Sequence, residues 1–393
     1  SIINLLSSCS QGIELPPLLT KWKAVLHAGS QLLPCSIKKP FNSFGTWITG
    51  ANMVVPNGCH HDQYNGLAIR FFFDRDYNQQ AALDCISAAM KFCEDNILGK
   101  GKWIEFSFEE WVEHIGGKRM RMLIEEPDAT LLSSFISVDI FVKLEAYLGK
   151  VVSNFKPRII QGRMLGYQKA VGAFFYSQSK WLGTVLNKHT NYVYDNGLDA
   201  NELGEIACRM FSEYKYVYEI DVSNWDGSLL PHWLDFERYF LWTIAPVLHE
   251  RMEEIDRYWN NVKGSGKHGV SYSTTHGRRS GDMWTSYFNT LINICIATWI
   301  FGRDILIVAK GDDNFFGTNK KMTAKEVEAK YAELGMKAKV RLIHHISDLE
   351  YCSGKFYLTE SGSWKWGLKP FRIISKLGLN LHRIPDKLHK RTL

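Results

Sequence analysis

Residues 304–318 read DILIVAKGDDNFFGT. The first seven form an aliphatic, β-branched run ending in one lysine, which is a strand by composition. Gly311-Asp312-Asp313 then makes a tight turn, and NFFGT runs back as its partner strand. Gly311 supplies the backbone freedom the turn needs. A carboxylate at such a turn can project into a cleft without being buried in the sheet. A Gly-Asp-Asp turn alone is usually a solvated hairpin tip, so its meaning depends on what the chain places beside it.

Working outward, YKYVYEI (214–220) reads as a strand ending at Asp221. In EIDVSNWDGS, Asp221 and Asp226 form D-x4-D, which is weak alone because turns are rich in Asp. Between the two acidic segments lies GRRSGDMWTSYFNTLIN (277–293). Ser280 and Gly281 sit in a loop entering a helix over 283–300, and Thr285 and Asn289, four apart, share one helix face. A glycine loop with hydroxyl and amide groups suits gripping a sugar and a template backbone. A capped helix with polar residues facing water is the plain alternative. Hard divalent ions take oxygen ligands from carboxylates and substrate phosphates. Two such ions, about 3.5–4 Å apart, stabilise both the attacking and leaving oxygens of phosphoryl transfer.

Elsewhere, residues 77–97 have helical periodicity, with Leu83, Ile86, Ala89, Met90 and Cys93 on one side. Residues 228–259 are helical in composition, and 325–336 form a further helix. Residues 262–279, rich in Gly, Ser and Thr, read as a flexible loop, and the first 60 residues are loop-rich. Strands alternating with helices predict a mixed α/β core without a clear linker.

The 393 residues are 45% hydrophobic with a net charge of +6, which excludes disordered and collagen-like classes. Eight cysteines, at 9, 35, 59, 85, 93, 208, 295 and 352, include no CxxC pair. His60 and His61 follow Cys59, but no second Cys/His pair with zinc-finger spacing accompanies them, so the set reads as free thiols in a reducing compartment. The chain starts Ser-Ile-Ile with no signal peptide, which reads as a fragment or a processed product. The most apolar stretch, 286–301, is uncharged but only 16 residues long and carries Asn289, Thr290, Asn293 and Thr298. It reads as a buried helix rather than a membrane span.

Asp221…Asp226, Ser280-Gly281…Thr285…Asn289 and Gly311-Asp312-Asp313, in this order, resemble motifs A, B and C of viral RNA-dependent RNA polymerases. Asp221 and Asp312 are 91 residues apart, similar to that family's palm. FVKLEAY (141–147) with FKPRIIQGR (155–163) resembles motif F, GMKAKV (335–340) motif D, and EYCSGKF (350–356) motif E. IISKLG (373–378) is like a stretch beyond motif E in tombusvirus-like and nodavirus-like replicases. KPRIIQGR, RRSGDMWTS and YCS are most similar to the tombusvirus-like group of positive-strand RNA viruses. The likeness covers roughly residues 140–380; before it, only HHDQYNGLAIRFF (60–72) is similar to the region entering the fingers.

The resemblance implies a right-hand α+β polymerase. Residues 1–213 would hold the N-terminal region and fingers (motif F at 141–163). Residues 214–350 would form the palm with motifs A–D, an antiparallel sheet flanked by helices, with a finger insertion near 260–278. Residues 351–393 would hold motif E and a small thumb. It implies Asp221 and Asp312 as principal ligands of two Mg²⁺ ions (Mn²⁺ can substitute), with Asp313 secondary and the Val222 carbonyl assisting. Asp226 and Asn289 would read the ribose 2′-OH, supported by Ser280, Gly281 and Thr285, which also hold the template. Lys156, Arg158 and Arg163 would line the triphosphate channel. Lys337 would be the general acid for pyrophosphate, with Lys339 its rival. Tyr351, Cys352 and Ser353 would grip the primer strand. Implied partners are template and nascent RNA, NTPs, a viral auxiliary replication protein and, through it, host membranes in the cytoplasm. The rival readings are a reverse transcriptase-like polymerase and a non-catalytic RNA-binding replicase subunit.

The net charge conceals a pattern. Residues 143–169 carry +5 and residues 369–393 carry +6, leaving the rest at −5. Two basic stretches are thus expected to face phosphates around an acidic centre, which makes RNA binding strongly salt-dependent.

Overall fold

The computed structural model describes residues 52–127, 136–149, 155–246 and 262–379, with short pieces before 51 and within 247–261. Arg383, Lys387, Lys390 and Arg391 of the C-terminal basic stretch, and Lys150, lie outside the described residues. In chain order the elements used below are β1 (Ala24–His27), α1 (His60–Arg70), α2 (Gln79–Asn96), β2 (Ser137–Val142), β3 (Ile159–Arg163), α3 (Leu165–Val185), β4 (Tyr192–Tyr194), α4 (Ala200–Glu213), β5 (Tyr216–Ser223) and α5 (Pro231–Thr243). After these come β6 (Val262–Gly266), β7 (Ser271–Thr274), α6 (Thr285–Phe301), β8 (Ile305–Lys310), β9 (Asp313–Thr318), α7 (Ala324–Glu333), β10 (Lys337–Ile343), β11 (Glu350–Tyr351), β12 (Gly354–Leu358), β13 (Trp364–Leu368) and α8 (Pro370–Ser375).

One five-stranded sheet, in the order β10-β5-β9-β8-β4, organises the molecule. Its pairs are antiparallel except β8 with β4, which is parallel. The continuous apolar run of β8 now has a physical reason. Ile305, Ile307 and Ala309 enter a large core with α2, α3, α5 and α6, while Leu306 and Val308 enter a second core with α4 and β12. A strand covered on both faces cannot alternate with polar residues. Phe315 and Phe316 of β9 split between the two cores in the same way. Helix ends carry their own signals. Asn78 caps α2 by accepting from the Ala81 N–H at 3.1 Å, and Asp199/Glu202 and Thr323/Glu326 form capping boxes at α4 and α7.

A second sheet, β1-β7-β6-β2-β3, packs over α1. It corrects the reading of 262–279 as a flexible loop. Residues 262–266 and 271–274 are the hairpin β6–β7, and β6 pairs in parallel with β2, far away in sequence. Two further corrections are local. Leu83 is 52% exposed, and the buried face of α2 is Ala81, Ala82, Cys85, Ile86, Ala89, Phe92 and Cys93. The strand β5 continues past Asp221 to Ser223. Helix α6 is buried along nearly its whole length, and no helix among the described residues is long and apolar enough to cross a membrane.

Candidate active site

The β8–β9 hairpin closes through Gly311 and Asp312, with Lys310 paired to Asp313. Gly311 has φ +64°, a left-handed conformation that a side chain would strain. The turn is held from beneath by α6. Thr290 Oγ1 accepts the Gly311 N–H at 2.8 Å, and its own hydroxyl donates to the Ser286 carbonyl at 2.7 Å. Asn293 Nδ2 donates to the Gly311 and Asp312 carbonyls at 3.2 and 3.1 Å, and its Oδ1 accepts from Asn314 Nδ2 at 2.9 Å. All three side chains are buried. Sequence reasoning used Thr290 and Asn293 only to argue against a membrane span; their period of three to four on α6 was the missed signal. Asn293→Leu should lower turnover by about 10- to 10²-fold with little change in KM for NTP, because a slightly displaced Asp312 misplaces the chemistry. Steady-state incorporation kinetics measure this, and an unchanged kcat in a folded variant would refute the positioning role.

Register brings the carboxylates together. β9 pairs with β5 so that Asn314 opposes Ile220, which sets Asp313 level with Asp221. On the other side of β5, Lys339 opposes Asp221 and Lys337 opposes Ser223. Asp221, Asp312 and Asp313 are exposed at one end of the sheet, while Val222 is buried and offers only its backbone carbonyl. Surrounding protein mass, then the neighbouring charge of Asp312, pushes the Asp313 carboxyl up to about 6. Asp312 is raised first by desolvation and further by Asp221, while Arg158 opposes the shift. These are carboxylates close enough to resist shared ionisation.

Arg158 is thus near enough for its charge to act on Asp312, with its side chain half exposed and 3.6 Å from Glu145. Its loop is held by Tyr147 Oη, which accepts the Arg158 N–H at 2.8 Å. Arg70 at the end of α1 donates to the Pro157 and Lys156 carbonyls at 2.9 and 2.7 Å. Lys156 is exposed. Arg163, expected in the triphosphate channel, is not there. Its side chain is wholly buried, and Nε donates to Asp282 Oδ1 at 2.6 Å. Asp282 also accepts from Arg279 Nε at 3.1 Å. Burial opposes ionisation of Asp282, but Arg163 and then Arg279 outweigh it and hold its carboxyl low. Arg163 therefore fastens β3 to the loop before α6.

That loop carries Ser280 and Gly281. The Gly281 N–H donates to the Gln161 carbonyl at 3.0 Å, and Ser280 Oγ accepts the Gln161 N–H at 3.3 Å. A Cβ on Gly281 would meet the Gln161 carbonyl at 2.4 Å and Gly162 Cα at 2.8 Å, so no side chain fits there. Thr285 closes the loop, its hydroxyl donating to the Arg279 and Asp282 carbonyls at 3.0 and 2.8 Å.

Asp226 and Asn289 do meet. Asn289 Nδ2 donates to Asp226 Oδ1 at 2.9 Å, and Asn289 Oδ1 accepts from Arg278 Nε at 3.1 Å. The Arg278 guanidinium is in turn paired with buried Glu237 in a two-pronged contact. Burial, then the charge of Asp312, pushes the Asp226 carboxyl up to about 6, so Asp226 neighbours the acidic centre.

Cys352 and Ser353 form a two-residue turn between β11 and β12 at φ +47° and +63°. Both values suit glycine or asparagine, and the turn delivers the Cys352 thiol to the Asp313 carboxylate. Burial, then Asp313, pushes that thiol up to about 12, so it is a protonated donor rather than a nucleophile. Tyr351 Oη donates to buried Asp195 Oδ2 at 3.1 Å, and Lys310 Nζ lies 3.5 Å from the same oxygen. Asp195 carries no sequence signature of its own. His345 Nδ1 lies 2.8 Å from Ser347 Oγ at the surface, away from the acidic residues.

A family model described as RNA dependent RNA polymerase matches residues 167–391, more than half of the chain. The match takes in the Asp221, Ser280-Gly281 and Asp312-Asp313 segments and begins just after β3. No curated protein matches the chain.

Proposed function

Because this chain belongs to the RNA-dependent RNA polymerase family and is an RNA-directed nucleotidyltransferase, we propose that it extends RNA by two-metal phosphoryl transfer during replication of a viral genome. The observation that carries this is the gathering of Asp221, Asp312 and Asp313 at one sheet end, with the Asp226–Asn289 pair beside them. The donor set suits Mg²⁺ or Mn²⁺: it is all oxygen, solvent-reachable, and crowded enough that Asp221 raises Asp312 and both raise Asp313. Asp221, Asp312, Asp313 and the Val222 carbonyl would hold the ions. Divalent ions bound there lower the pKa of an attacking hydroxyl and neutralise charge on leaving oxygens.

The chain's own groups do the rest. Arg158 and Lys156 orient the triphosphate, Arg158 from a loop fixed by Tyr147 and Arg70. Lys339 stands opposite Asp221 across the ladder and Lys337 opposite Ser223, and of the two we assign Lys337 as the proton donor to pyrophosphate. The turn at Tyr351, Cys352 and Ser353 supports the primer end through its bond to Asp313. KPRIIQGR, RRSGDMWTS and YCS support a place in the tombusvirus-like (or nodavirus-like) group. With that group we place the enzyme in membrane-associated complexes of the host cytoplasm, attached through a viral auxiliary protein.

Ribose selection is the discriminating test. A pocket built to bond a hydroxyl rejects the deoxy analogue by about 10⁴-fold or more. Extension of an RNA primer with NTP against dNTP should show that preference, and Asp226→Ala or Asn289→Ala should cut it at least about tenfold. Equal use of dNTP by the unaltered protein would favour the reverse transcriptase-like reading. No incorporation of either would favour a non-catalytic RNA-binding subunit.

A further inference from the structure

We propose that Cys35, Cys59 and His61 bind a structural zinc ion, remote from the acidic centre. Their ligand atoms, two Sγ and one imidazole nitrogen, all lie within 4.8 Å of one another. Zinc bonds of about 2.3 Å to sulfur and 2.0–2.1 Å to nitrogen put tetrahedral ligand atoms roughly 3.5–3.8 Å apart. The cluster is therefore within a small side-chain adjustment of a zinc shell. Two thiols and an imidazole form a soft to borderline set that selects zinc over magnesium.

The surroundings fit a metal centre. Cys59 and His61 are each 2% exposed. Asn57, also buried, donates from Nδ2 to Cys35 Sγ at 3.2 Å, the kind of outer bond that orients and stabilises a ligating thiolate. The three side chains leave the fourth tetrahedral position for a water or a further ligand. The scattered spacing that made these residues read as ordinary thiols hides a site assembled by tertiary contact. Cys35 comes from 24 residues upstream and meets the first turn of α1.

The location gives the ion a purpose. α1 ends in Arg70, which holds the Lys156–Pro157 backbone, and the Ile69 carbonyl accepts from Asn224 Nδ2 at 3.0 Å. A clip at the start of α1 would fix the helix whose far end positions both Arg158 and the Asp226 segment.

The test is metal analysis of the full chain purified under reducing conditions. About one zinc per chain is expected in the unaltered protein and in Asp312→Ala, and a large loss in Cys35→Ser and Cys59→Ser. Chelation should lower the melting temperature of the unaltered protein, with recovery on adding zinc alone. Because a serine variant can fail to fold, cobalt titration of the zinc-free unaltered chain provides a second reading: thiolate-to-cobalt charge-transfer absorption is expected. Absence of zinc with no cobalt absorption, zinc retained in both serine variants, or a Cys35–Cys59 disulfide found by mass would each overturn the proposal.

Discussion

Asp312→Asn should lower nucleotide incorporation by about 10²- to 10³-fold or more, yet leave the melting temperature unchanged or raised. The first part follows from removing a charge positioned where the reaction needs it. The second follows from the geometry of the centre. Asp312 and Asp313 are both raised, chiefly by desolvation, with Asp221 adding to the shift of Asp312 and both Asp312 and Asp221 adding to that of Asp313. Such crowding costs stability, and deleting one charge relieves it, as expected where function opposes stability. Asn keeps the shape of the turn and leaves the Gly311 and Asp312 carbonyls bonded to Asn293. Incorporation of labelled NTP on an RNA template, measured beside thermal unfolding, reads both parts. A variant that unfolds easily would show Asp312 to be structural; one that incorporates normally would remove the carboxylate from the mechanism.

The legible and illegible features of this chain differ in the range of the interactions that fix them. The Gly-Asp-Asp hairpin, the strand leading to Asp221 and the helix after Ser280 are set by local pattern, and each lies where its residues predict, apart from the two residues by which β5 runs on past Asp221. Residues 262–279 failed because a Gly- and Ser-rich strand has little intrinsic preference; β6 is a strand because β2 supplies its partner. Arg163 failed for a related reason. Basic density around it suggests phosphate binding, but Asp282, 119 residues away, buries it. The Asp226–Asn289 pair was legible as two residue types, while its support by Arg278 and Glu237 was not. Thr290 and Asn293 show the intermediate case: their spacing was visible, but not the turn they hold. Cys35 joins Cys59 and His61 only in the folded chain.

Arg278→Leu should destabilise the fold by about 3–5 kcal/mol, because it strands a buried carboxylate. Arg278 and Glu237 have fully buried side chains, and Arg278 is the group that stabilises the Glu237 charge most. Burial nevertheless holds the Glu237 carboxyl above its ordinary 4.5. The sign for pH follows. A carboxyl raised in the folded state binds its proton more tightly there than when unfolded. Its contribution is fully present below the unfolded pKa and is lost as pH rises through the folded one. Without Arg278 the folded value climbs further, so the stability of the variant should go on falling with pH beyond the range in which the curve of the unaltered protein levels off. Thermal unfolding across pH measures this, and parallel curves would mean that Glu237 is not stranded. Adding Glu237→Leu to Arg278→Leu should restore most of the stability and remove the extra slope, since an apolar pair can replace a buried ion pair at little cost. Ribose preference should not return with it. Asn289 Oδ1 would still lack the Arg278 Nε–H that fixes its amide toward Asp226. A stable double variant with relaxed NTP over dNTP selection would separate the two duties of Arg278, and one with full selection would show that Asn289 needs no such support.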